Sequence, residues 1–231
     1  MDEGRRDGHP ARPHRASRRA RVLAQQLGLG GGRPGAALVL RPASARALLR
    51  PRFEGLGGGG DRPAVADEFV AEDLVAVALL SVNIKGDAAL EILERRRARL
   101  HQLLRRVPTD VALADLTVDD VGDDWPLRAL YRELRSIDTI GKTAALLARK
   151  RPHMAPILDT VITAELRIVK GQYWGPLHAW LTTDGKAHHR HLLDLRDAAD
   201  LGTEISALRV FDVLAWMSGK GYTRSGGPAV P

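Results

Sequence analysis

Two residues of the stretch IGKTAALLARKRPHMAPILDTVI, residues 140–162, have side chains that could do chemistry. Lys142 is an amine that becomes a nucleophile once deprotonated, and Asp159 is a carboxylate placed just before an apolar, helix-forming run. A carboxylate at a helix N-terminus stays ionised, because the partial positive charge there favours it. It could activate water or stabilise a developing positive charge. Each residue also has a plainer reading. Asp159 precedes TVITAEL and serves equally as an N-cap, a role worth about 0.5–2 kcal/mol. Lys142 fits an exposed lysine in the first turn of a helix.

The same stretch offers cations and turn amides. GKT resembles the end of an ATPase phosphate loop, but that loop needs a glycine five residues before its GK pair, and Ser136 stands there. The preceding residues also have helical spacing rather than that of a strand. The segment instead reads as helix, tight hairpin, helix: LRSI closes one helix, DTIG turns, and KTAALLARK begins the next. Gly141, Lys142 and Thr143 would then face a DNA phosphate, since hairpin amides and a helix N-terminus attract anions without reading bases. Arg149, Lys150 and Arg151 end that helix before Pro152. There they either complement the helix dipole or contact a phosphate or an acidic partner. His188–His191, HHRH, point to different helix faces and read as surface, so no metal site is expected.

These residues carry a resemblance. Gly141, Lys142, Thr143 and Ala144, followed by Leu158, Asp159, Thr160 and Val161, resemble the helix–hairpin–helix and following loop of the DNA glycosylases that excise damaged bases. The resemblance implies that Asp159 activates water or stabilises the oxocarbenium ion formed as the base leaves. By the same resemblance, Lys142 would attack the sugar through a Schiff base in a bifunctional enzyme. Asp138–Thr139 stands where that family usually has Pro–Gly, and the hairpin is one residue shorter. With no cysteine, the chain has no means to hold the iron–sulfur cluster of many members.

A wider resemblance spans roughly residues 40 to 218. RFEGLGGGGD, EDLVAVALLSV, LLARKRPHMAPILD and SALRVFDVLAWM resemble successive landmarks of a family of uncharacterised proteins of high-GC Gram-positive bacteria. It implies one intact domain and no established activity.

The elements that must position these residues are helical. EDLVAVALLSVNI, residues 72–84, is apolar nearly all round and predicts a central buried helix. Asp87 is the expected N-cap of the next helix, whose Leu90, Leu93, Leu100, Leu103, Leu104 and Val107 share a face before Pro108. Arg95, Arg96, Arg99, Arg105 and Arg106 form its solvated face. Further helices are expected after Trp125–Pro126, at 143–150, at 160–169, at 189–199 and at 206–217, the last capped by Ser206. GLGGGGD, residues 55–61, reads as a flexible turn. Trp174, Trp180 and Trp216 are expected in the core.

The chain has 231 residues, 44% of them hydrophobic, and a net charge of +7. Residues 1–36 hold eight arginines against three carboxylates, so most of the excess charge lies there. That segment is expected to be a disordered basic tail, since it has little apolar surface to offset the entropy of ordering. The expected organisation is a mainly α, single globular domain at 37–220 containing a helix–hairpin–helix, with tails at 1–36 and 221–231. No apolar run approaches the roughly 20 residues of a membrane span, and the absence of cysteine agrees with a cytoplasmic home. No cofactor is implied. Two functional classes follow: a DNA-associated protein of glycosylase-like fold, bound through phosphate contacts and capable of base excision, or a non-enzymatic domain that docks another protein, an acidic one for the basic landmark.

Overall fold

The computed structural model describes residues 52–137, 140–168 and 173–221. The expected tails, apart from Gly221, and the Asp138–Thr139 turn lie outside the described residues. Among the described residues all regular structure is helical, as the mainly α expectation holds.

The chain enters through a single turn, α1 (Arg52–Gly55), and a 3-10 turn at Leu56–Gly58. GLGGGGD is not a loose linker: Gly57, Gly58 and Gly59 take φ of 61°, 84° and 94°, conformations that L side chains rarely adopt. The next helix, α2 (Ala71–Ala78), is shorter than the apolar run predicts. Ser81 turns into the left-handed region at φ 62° just beyond it, and Val75 is left 54% exposed. This helix is therefore not the central one.

A nearly continuous rod follows, made of α3 (Gly86–Leu90), a π turn at Glu91–Arg95 and α4 (Arg97–Leu104). Lys85, not Asp87, is the N-cap residue, and Asp87 lies in the first turn, where its charge still complements the helix dipole. Ile92, Leu100, Leu103 and Leu104 are buried. Arg96 ties the rod to the following helix through Glu133 at 3.0 Å, while Arg105 and Arg106 are exposed.

Pro126 opens α5 (Pro126–Arg135), where its missing N–H costs nothing. Leu127, Leu130 and Leu134 form its buried stripe. The central helix is α6 (Ile140–Lys150), with every side chain from Thr143 to Lys150 buried. Ala144, Ala145 and Ala148 let α2 and α5 pack close to it. A proline-bounded loop then leads to α7 (Thr160–Glu165), which ends before 169 because Arg167 turns left-handed at φ 48°.

The helix expected at 189–199 is the second half of a longer element, α8 (Trp174–Ala198), broken at Thr183–Lys186. Its first half buries Trp174, Leu177, Trp180 and Leu181. Ser206 caps α9 (Ala207–Gly219) as expected, accepting from Arg209 N at 3.1 Å. α9 packs against α7 and α8. A Cβ on Gly219 would come within 2.6 Å of Val161 Cγ1, so glycine sets the closeness of α7 and α9.

One hydrophobic core runs through the α2–α6 group and the α7–α9 group. Trp174 joins them edge-on to Trp125 at 5.5 Å and Tyr131 at 5.2 Å. His178 Nε2 lies 2.8 Å from Leu116 O, and Leu113 N donates to His153 O at 2.9 Å. His188 is not a plain surface residue: it stacks on Trp180 at 4.7 Å.

Leu130 sits where α5 meets this core and is fully buried. Leu130→Ala is expected to destabilise the domain by about 2–5 kcal/mol in chemical denaturation, whereas Val118→Ala, at a residue 77% exposed, should change stability by less than about 0.5 kcal/mol.

Candidate functional site

Three of the sequence landmarks converge at the C-terminal end of α6. Arg149, Lys150 and Arg151, expected to face a phosphate or an acidic partner, are 2%, 0% and 0% exposed. Their donors are used inside the chain. Arg149 donates to Phe53 O, Glu54 O and Leu56 O of the glycine-rich entry. Lys150 Nζ donates to Gly60 O and Val65 O, each at 3.0 Å. Arg151 donates to Leu104 O, Val107 O and Ala66 O, each at 2.7 Å, and to Asp67 Oδ1 at 2.8 Å.

A buried carboxylate completes this arrangement. Asp73 of α2 lies 2.6 Å from Lys150 Nζ and 3.3 Å from Arg149 Nε, and it accepts from Val70 N at 2.9 Å. Burying charge is costly unless it is paired and hydrogen-bonded, and here every cation has both kinds of partner or a shell of carbonyl dipoles. Desolvation pulls the Lys150 ammonium below its ordinary pKa, with Asp73 opposing that shift. These three side chains are therefore structural, and their burial removes them from any surface contact with a polyanion.

The hairpin candidates lie at the other end of the helix. Gly141, Lys142 and Thr143 all fall in the first turn of α6, so Gly141 belongs to the helix rather than to a preceding turn. Lys142 is partly exposed, whereas the Thr143 side chain is buried and points away from any solvent-side phosphate. Asp159 is the N-cap of α7, with Oδ1 accepting from Ile162 N at 2.7 Å. Its residue is half-buried, and among the described residues Oδ2 accepts no hydrogen bond. The cap and a chemical role are compatible, since the cap engages one oxygen, Oδ1.

Sequence reasoning missed a second group beside Asp159. Asp212 of α9 is 2% exposed and accepts from Ile157 N at 2.7 Å through Oδ2, while Oδ1 has no hydrogen-bond partner among the described residues. Arg209, one turn earlier on α9, lies 2.6 Å from Glu54 Oε1 and over the Phe53 ring. Tyr173 Oη is buried without a partner among the described residues. Desolvation pushes the Asp212 carboxyl well above its ordinary range; Arg209 opposes this, and Asp159 and Glu54 add to it. Desolvation raises Glu54 as well, against Arg209. The available signal was an acidic residue inside an all-apolar helix, as in RVFDVLAW and EDLVAV.

Among the described residues no group of three or more His, Asp or Glu side chains is placed to hold a metal ion. Nor is any described helix long and apolar enough to cross a membrane.

An all-helical domain that buries its own basic landmark is the class these features define. The chain belongs to a family of unknown function (DUF6308), whose profile matches residues 40–219. No curated protein and no solved structure matches it. The wider of the two resemblances thus identifies the domain, while the match attaches no glycosylase activity to it.

Two outcomes follow from this geometry. A Cβ on Gly60 would lie 2.4 Å from Arg149 O, so Gly60→Ala should destabilise the domain by about 1–3 kcal/mol or more in urea melts. Asp212 binds its proton more tightly folded than unfolded, so the stability it contributes is complete below the ordinary carboxylate pKa and is lost as pH rises through its folded value. Compared with Asp212→Asn, the wild-type domain should therefore lose melting temperature as pH rises from about 4 toward neutrality.

Proposed function

We propose that this domain associates with DNA through the connection between α5 and α6, and that Asp159 carries whatever base-excision chemistry it performs. The single observation behind this reading is the carboxylate of Asp159. It heads α7, is half-buried, and spends one oxygen on its own cap while the other has no hydrogen-bond donor among the described residues. A carboxylate held in this way is fixed in place and able to face an oxocarbenium ion or a water.

Supporting features lie nearby in the chain. α5 and α6 pack together across a four-residue connection, 136–139, and Lys142 stands partly exposed in the first turn of α6. The phosphate set in this reading comprises the first-turn amides of α6 and Lys142. Arg149, Lys150, Arg151 and the Thr143 hydroxyl are left out of it, because their side chains are buried.

A second reading is a non-enzymatic interaction domain, which would have to dock through a surface other than the basic landmark, since that run is consumed inside the fold. The two are separated by titrating duplex binding against salt for the full chain and for the chain lacking residues 1–36. Under the DNA reading, binding persists without the tail, and Lys142→Ala lowers the salt slope by about 1. Base release from DNA containing uracil, alkylated or oxidised bases should fall by about 10²–10⁴-fold in Asp159→Asn. Binding that vanishes with the tail, together with no base release, leaves the interaction domain as the reading.

A further inference from the structure

Asp159 does not set its own position. The loop that delivers it, Met154 to Leu158, is buried; a local turn holds its start and a side chain from a distant helix holds its end. At its start, Met154 N and Ala155 N donate to Arg151 O, at 3.0 and 2.9 Å. Near its end, two residues before Asp159, Ile157 N donates to Asp212 Oδ2 across from α9. Asp159 itself then contributes only the local cap of α7. From Ile157 to Asp159, among the described residues, the sole side-chain acceptor reaching a backbone amide from another element is that of Asp212.

We propose that Asp212 is the positioning residue of Asp159: its carboxyl, fixed on α9, holds the Ile157 amide and thereby sets where the Asp159 carboxylate emerges at the head of α7. Its relevance to DNA chemistry rests on the reading of Asp159 given above; the positioning itself does not.

The surroundings make this role specific to a carboxyl or its amide. Facing Asp212 are Arg209 from its own helix, Glu54 from α1, Asp159 from the head of α7 and Tyr173 from the start of α8. Arg209 is already paired with Glu54. Asp212 thus has an acceptor oxygen on Ile157 N and a second oxygen in a buried setting beside two other carboxyls. Burial favours the neutral acid there, and an asparagine keeps a carbonyl oxygen that can accept from Ile157 in the same place. An alanine supplies neither, and the Ile157 amide is left buried without an acceptor.

The test is amide hydrogen exchange at Ile157 together with an NMR titration of the Asp159 carboxyl, in the full chain. Asp212→Ala should speed Ile157 exchange by about tenfold or more and shift the Asp159 titration. Asp212→Asn should restore both to wild-type values, to within about threefold in exchange, because the acceptor is retained. Ser218→Ala breaks a polar link from α9 to α7 itself, Ser218 Oγ to Glu165 Oε1, and should leave both readouts unchanged.

If Asp212→Ala does not fold, the asparagine variant decides: retained protection and titration support the assignment, and lost protection in a folded domain overturns it. Unchanged Ile157 exchange in a folded Asp212→Ala overturns it too, as does an equal response in Ser218→Ala. None of these readouts involves DNA. Absence of base release in every variant would therefore count against the DNA reading and leave the positioning role standing.

Discussion

Three cations in successive positions, Arg149, Lys150 and Arg151, are carried into the interior, and the rest of the domain is arranged to satisfy them. A buried guanidinium or ammonium without acceptors is far too costly to keep. One nearby buried carboxylate, Asp73, cannot neutralise all three. Asp67 pairs with Arg151, and the remainder of the compensation comes from backbone carbonyls of the entry segment and of the end of α4. This requirement explains the run of glycines. Carbonyls can gather around a guanidinium only if the backbone can turn left-handed and approach closely, and Gly57 to Gly60 supply both properties.

The helical class and most helix positions could be read from apolar periodicity and from caps such as Pro126 and Ser206. Where the sequence misled, tertiary context reversed a local signal. The most uniformly apolar run became a short helix with one exposed valine, because Ser81 ends it. The basic run became the centre, because α6 is shielded by alanines and surrounded by carbonyl oxygens that no composition reveals. Long-range side chain to backbone bonds leave no periodic trace, and so the fate of Arg149 to Arg151 could not be seen in advance.

The candidate site was half legible. Asp159 was placed correctly at the head of its helix, since an acidic residue before a helix-forming run is a strong local signal. Asp212, Glu54 and Arg209 escaped notice because their meaning depends on three distant segments meeting. An aspartate flanked by Val210, Phe211, Val213 and Leu214 was visible as an anomaly, yet its partner amide at Ile157 lies 55 positions away.

The carbonyl cradle around α6 also bears on the order in which the domain can form. Its carbonyls lie up to 96 positions before the cations they bind. A ribosome delivers residues 52–66 long before residue 151 has left the exit tunnel. The glycine-rich entry has nothing to wrap until then, and loop closure over such a separation carries an entropic cost that local turns do not. Vectorial synthesis therefore makes the N-terminal landmark a late-folding part of the domain, closing onto α6 only after the helix that demands it has emerged.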